Sequence, residues 1–228
     1  MNATDTLALF PLLLIAGTSI VVMLGIAARR SHALTAGLTI TGLAVAFVSI
    51  FVAAPTVPRQ VGSLLLVDPY ALFYVGLIIA SAAVVAVLSY QYLERHDGHH
   101  EELYLLLLLA TLGCAVLVTS VHFVSFLLGL EILSVSLYAM VAYFRDRKQA
   151  LEAGIKYLIL ASASAAFLLF GMALIYAGTG TMAFSRLREF SPDSSALWLL
   201  LPSPSCWCAL RTAIGPPPAV LPAPPSVS

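Results

Sequence analysis

Long apolar runs alternate along the chain with short polar or Gly/Pro-containing breaks. The runs cover residues 7–28, 33–54, 69–92, 103–120, 122–144 and 151–177. At a rise of about 1.5 Å per residue, each covers the roughly 30 Å of hydrocarbon in a bilayer. The pattern predicts an all-α fold, a polytopic transmembrane helix bundle of six spans. Asp5 and no basic residue precede the first run, and Arg29-Arg30 rather than a small-residue cleavage site follows it, which predicts a retained span and not a signal peptide. The fourth and fifth runs meet at Val121-His122, too close for anything but a tight antiparallel hairpin.

The pattern changes after residue 200. Ala196-Leu197-Trp198-Leu199-Leu200 opens a seventh apolar run that aborts after about one turn. Pro202, Pro204, Pro216-Pro217-Pro218, Pro222 and Pro224-Pro225 then exclude a helix, because proline lacks the N–H and clashes with the preceding turn. The expected organisation is a transmembrane domain over 1–200 and a Pro-rich tail over 201–228. The tail reads either as the out-of-frame end of a truncated product or as a genuine disordered segment.

Composition sharpens the picture. With 61% hydrophobic and 10% charged residues and a mean hydropathy of +0.99, the chain has too few polar groups to cover a soluble globule. The lipid bilayer is therefore its first partner. A formal net charge of +0 provides no basic field for nucleic acid. Cys114, Cys206 and Cys208 make no disulfide framework of the secreted kind. If the spans alternate, Arg29, Arg30, Arg95, Arg145, Arg147 and Lys148 fall on one side, with Arg59 on the other; Arg186 and Arg188 dilute this bias without reversing it. The basic side marks the cytoplasm and places the N-terminus outside.

An ionisable residue at the centre of a span costs at least about 2.5–3.5 kcal/mol, so those that occur are candidates for function. Glu131 lies about nine residues from His122, too deep to reach an interface, and Ser134 and Tyr138 share its helical face. A carboxyl there suits proton uptake and release; a protonated, structural hydrogen-bonding group is the alternative. Lys156 is shallower, about 8 Å inside a helix starting at Leu151, and Glu152 one turn before it offers a local ion pair. Proton handling and an interfacial pair both fit Lys156. The two residues differ in depth by about 12 Å, bridgeable by water.

Other polar groups suggest architecture. His96-Asp97-Gly98-His99-His100-Glu101-Glu102 has metal-ligand types but reads as a solvated loop, so no metal site is expected. Asp68-Pro69 opens a helix as N-cap and N1, and His122 at the hairpin turn reads either as an interfacial cap or as a proton-exit group. Ala161-Ser162-Ala163-Ser164-Ala165-Ala166 makes the sixth span slim enough for close packing. No phosphate loop, nucleophile elbow or iron–sulfur spacing occurs, so the chain is expected to bind no cofactor and to hold no redox active site.

Glu101-Glu102-Leu103-Tyr104-Leu105-Leu106, Phe126 to Ser134, Leu151-Glu152-Ala153-Gly154-Ile155-Lys156-Tyr157 and Phe167 to Tyr176 together resemble the N-subunit family of bacterial NADH:quinone oxidoreductase, respiratory complex I. The resemblance runs from the start to about Leu200 and includes Arg29-Arg30 and Val67-Asp68. It implies an antiporter-like subunit that translocates protons beside other membrane subunits of complex I in the cell inner membrane. NADH and quinone would be used elsewhere in the complex. Carried over, Glu131 matches the family's carboxylate of the fifth helix and Lys156 its lysine of the sixth, as electrostatic switches of the proton pathway. The family continues through a seventh helix, a broken helix and a second inverted repeat; without them the first repeat is expected to be incomplete. A cation/proton antiporter subunit and an inert truncated fragment are the alternatives.

Overall fold

The structure, a computed structural model, describes residues 3–28, 30–94, 101–143 and 148–189. The expected seventh run, the Pro-rich tail with Cys206 and Cys208, the His96–His100 loop, Arg29, Arg95, Arg145 and Arg147 lie outside the described residues. Among the described residues, eight helices and a small hairpin follow in the order α1 Ala3–Ala8, α2 Phe10–Ala28, α3 His32–Ala53, a 3-10 turn Ala54–Thr56, β1 Arg59–Val61, β2 Leu65–Val67, α4 Pro69–Glu94, α5 Glu101–Thr119, α6 Phe123–Val141, α7 Lys148–Thr179 and α8 Phe184–Glu189. Among the described residues, six helices are long and apolar enough to cross a membrane. The protein is a multi-pass helical membrane protein.

The run beginning at residue 7 divides at Leu9. Pro11 supplies no N–H to the carbonyl of Leu7, and its ring crowds that carbonyl, so α1 ends and α2 starts afresh. At the start of α4, Pro69 occupies the first helical position, where its missing N–H is not needed, and the Asp68 carbonyl accepts from the Leu72 N–H at 2.9 Å. His122 caps α6: its backbone is extended, and its Nδ1 accepts from the Val124 N–H at 3.3 Å.

The chain divides into two compact units within α7, after Phe167. In the first, α5 is the hub, in contact with α2, α3, α4 and α6. Leu12, Ile15 and Val22 of α2, Leu43 and Ala46 of α3, Val75 and Ile79 of α4, and Tyr104, Leu108 and Ala115 of α5 form one continuous core. Half of the apolar window of α5 is buried, against 17% for α6 and 11% for α7. The last two therefore present most of their surface outward, as Leu128 and Leu160 do. Such apolar exposure would be a liability in water and is the normal state of a lipid-facing surface. In the second unit, α7 ends where Gly180 takes a positive φ of 68° and its N–H bonds to the Tyr176 carbonyl at 2.8 Å.

Most hydroxyls buried in the first unit are satisfied within their own helix. Ser19, Thr35, Thr39, Thr111, Thr119 and Ser136 each donate to the carbonyl one turn back, at 2.7–3.1 Å.

The connection between α3 and α4 holds an element that the hydrophobic pattern did not announce. β1 pairs antiparallel with β2, Arg59 opposite Val67, and the turn depends on Gly62 at φ 64°, a backbone state that suits glycine. This hairpin binds the α5–α6 turn: Leu64 accepts from the Val121 N–H at 3.1 Å and the Ser125 hydroxyl at 2.7 Å, and Leu65 bridges to Ser120. Arg59 also pairs with Asp5 of α1 at 2.5 Å.

Candidate functional site

Glu131 lies in the interior of α6, eight residues after its start at Phe123 and ten before its end at Val141. That corresponds to about 12 and 15 Å of helix on either side, beyond the reach of a glutamate side chain. The residue is half-buried, as are Ser134 and Tyr138 on its face. The three form a polar line about two turns long, on a different side of α6 from the buried Ser125 and Ser136.

Glycine sets how closely α6 lies against α5. A Cβ at Gly113 would fall 2.7 Å from the Leu133 nitrogen and 2.9 Å from the Gly129 carbonyl oxygen. A Cβ at Gly129 would in turn lie 3.0 Å from the Leu117 nitrogen. Gly129 and Leu133 bracket Glu131 at two residues on each side, so the crossing fixes the backbone that carries the carboxyl. Small residues let helix backbones approach in this way where lipid removes the usual hydrophobic drive for association.

Lys156 is set differently. Because α7 begins at Lys148 rather than Leu151, Lys156 is eight residues into its helix, about 12 Å. Its Nζ bonds Glu152 Oε1 at 2.5 Å, and both side chains are largely exposed, 74% and 64%. The ion-paired arrangement is thus the one adopted, with Glu152 and not Glu131 as the partner of Lys156. Where the end of α6 meets α7, Gly154 packs on Ala142: a Cβ there would lie 2.5 Å from that of Ala142.

A further polar group gathers where α5 begins and α6 ends. Glu102 accepts from the Tyr143 hydroxyl at 2.9 Å and pairs with Arg30 at 3.4 Å. Glu101 beside it is buried. His32, at the first position of α3, stacks on Tyr90 of α4 with ring centroids 4.9 Å apart, and its Nε2 lies 3.1 Å from the hydroxyl of fully buried Tyr104. Neither Tyr143 nor His32 stands out in the sequence as functional, because Tyr143 lies at the very end of the fifth apolar run and His32 just before the second. The available signal was an acidic pair opening one span, with aromatic residues at the ends of its neighbours.

Residues 120–203 match the family NADH:quinone oxidoreductase/Mrp antiporter, transmembrane. Over 201 residues the chain is 44% identical to NADH-quinone oxidoreductase subunit N of Ectopseudomonas mendocina (strain ymp), covering 86% of this chain and 41% of that protein. The chain spans about two fifths of the length of the relative it matches. Among solved structures, a chain of respiratory complex I from Thermus thermophilus with bound aureothin superposes with a TM-score of 0.68 at 29% identity, covering 83% of this chain and 40% of that one. A chain of the archaeal membrane-bound sulfane sulfur reductase shares the fold, with a TM-score of 0.65 at 23% identity and the same coverage of 83% and 40%.

Proposed function

We propose, from the homology of this chain to the antiporter-like subunit N of NADH-quinone oxidoreductase, that it belongs to a proton-translocating membrane subunit of respiratory complex I. The observation that carries this reading is the carboxyl of Glu131 in the interior of α6, beside Ser134 and Tyr138. An ionisable group at that depth costs at least about 2.5–3.5 kcal/mol, which a structural role satisfied by Gln or Ser would not require. Glu131 takes up and releases the proton. Lys156, eight residues into α7 and paired with Glu152 one turn before it, acts as the charge whose partner is exchanged when Glu131 changes state. Electron transfer from NADH to quinone is performed by other subunits, and this chain binds neither. Its partners are the other membrane subunits of the complex. The setting is the cell inner membrane, with the Arg30 end of the bundle in the cytoplasm and the N-terminus outside.

The test is NADH-driven proton uptake into native membrane vesicles, followed with an acid-sensitive dye. Glu131→Gln keeps the shape of the side chain and removes its titration; it is expected to lower the flux about tenfold or more with the complex still assembled. Unchanged flux refutes the role of Glu131 and leaves the chain an inert component. A second reading, a cation/proton antiporter subunit, is favoured by the inclusion of Mrp antiporters in the matched family. It predicts sodium-dependent proton exchange without NADH.

A further inference from the structure

The two sides of α4 differ in chemistry. Ala71, Gly76, Ala82 and Ala86, half of its buried residues, are small and turn toward the core. The fit there is close: a Cβ at Gly76 would stand 3.4 Å from the Ile50 side chain of α3. The opposite side carries Tyr70, Phe73, Leu77, Val84, Leu88 and Tyr92, which recur at steps of three, four and seven residues and are 52–72% exposed. Ala80 and Ser81 are the small members of this side, and the Ser81 hydroxyl is spent on the Ile78 carbonyl at 2.8 Å. Between Asp68 and Glu94 the helix has no charged residue.

Helices that bind one another in a bilayer do so through small or hydrogen-bonding residues, because lipid removes the hydrophobic gain of association. With its small residues inward and its bulky apolar ones outward, α4 offers acyl chains a surface and offers another helix little to grip. Tyrosines mark where the chains end. Tyr92 stands at one end of the strip, and at the other the hydroxyls of Tyr70 and Tyr74 lie 3.1 Å apart. Eighteen residues separate Tyr74 from Tyr92 and twenty-two separate Tyr70 from it, about 27 and 33 Å of helix, which brackets the roughly 30 Å of hydrocarbon in a bilayer. Tyrosine favours this level because its ring is apolar and its hydroxyl is not. Two hydroxyls carry two hydrogens, so the Tyr70–Tyr74 pair, once bonded to each other, keeps one for a headgroup oxygen or interfacial water.

We propose that this side of α4 is a lipid boundary of the assembled complex, with phospholipid acyl chains along it from Tyr74 to Tyr92 and headgroups at the tyrosines, and that neighbouring subunits approach the chain from other sides. The proposal does not rest on the role of Glu131, and it stands or falls separately from it.

The experiment uses the full chain in its native membrane. The photoreactive amino acid p-benzoylphenylalanine replaces Leu77, Val84 or Leu88 in turn, the membranes are irradiated, and adducts of the chain are read by gel mobility and mass spectrometry. Each position is expected to gain the mass of a phospholipid. Val84, about 15 Å from Tyr74 and 12 Å from Tyr92, is expected to be joined nearer the methyl end of the acyl chain than Leu77 or Leu88. A cross-link to a protein at any of the three overturns the proposal. Recovery of the unreacted ketone, the mark of a position facing water, also overturns it. Leu77→Phe, Val84→Phe and Leu88→Phe provide a second measurement, the amount of assembled complex on native gels. Fluid lipid gives way to a larger ring, so wild-type amounts are expected; loss of assembly in these variants reveals a packed protein neighbour and overturns the lipid boundary.

Discussion

Replacing Gly113 by Ala adds one methyl group at the closest approach of α5 and α6. The new Cβ would sit 2.7 Å from the Leu133 nitrogen, 2.9 Å from the Gly129 oxygen and 3.1 Å from the Leu133 Cα. Ordinary contact needs roughly 3.5 Å, so α6 must retreat by about 0.8 Å. The obstacles are backbone atoms, which no rotamer change can clear. Overpacking of this kind costs about 1–3 kcal/mol. Gly17 in α2 provides the control, since a Cβ there meets nothing within 4 Å. At such an open position Ala is favoured over Gly by up to about 1 kcal/mol through helix propensity, a value set in water. The two variants should therefore shift in opposite directions and differ by roughly 1–4 kcal/mol. Graded SDS unfolding in mixed micelles, read by circular dichroism, measures the difference. Equal midpoints for Gly113→Ala and Gly17→Ala would refute the claim that the glycine crossing holds α6.

A related variant separates a side-chain obstacle from a backbone one. At Gly42 the atoms met by a new Cβ all belong to the Thr18 side chain, so Gly42→Ala should lose about 1–3 kcal/mol, and adding Thr18→Ala should recover most of it in the same assay. The Glu152–Lys156 pair is exposed, so Glu152→Gln should change stability by no more than about 0.5 kcal/mol in the same unfolding assay. A loss well above that would mean that the pair is desolvated by a neighbour in the assembled membrane.

Which parts of this fold could be read in advance follows from the forces that set them. Span length and apolarity are imposed by the bilayer one helix at a time, so the six helices were visible as runs. Caps are likewise local, and His122 could be assigned as one from its place at the turn. The β1–β2 hairpin was not visible, because its partner is the α5–α6 turn, more than fifty residues away in sequence. The break at Leu9 was masked by the apolarity of its neighbours, although Pro11 carried the signal. Glu131 stood out because a charge inside an apolar run is costly wherever the helix packs. The partner of Lys156 was legible as one of two choices, since an i,i+4 carboxylate competes with any distant one. Tyr143 meets Glu102 only through the antiparallel return of α6 along α5, a contact that spacing within one helix cannot reveal.

The local bonding of the buried hydroxyls has a consequence for what the bundle interior will admit. Ser19, Thr35, Thr39, Thr111, Thr119 and Ser136 have each committed their only hydrogen to a carbonyl of their own helix. What they still offer to a visitor is oxygen lone pairs. Each of these positions can therefore receive a hydrogen bond from a neighbour but has no hydrogen left to give one. A substitution that brings an acceptor-only side chain against any of the six would leave that acceptor without a donor in the packed interior, whereas one that brings a donor would find a partner already waiting.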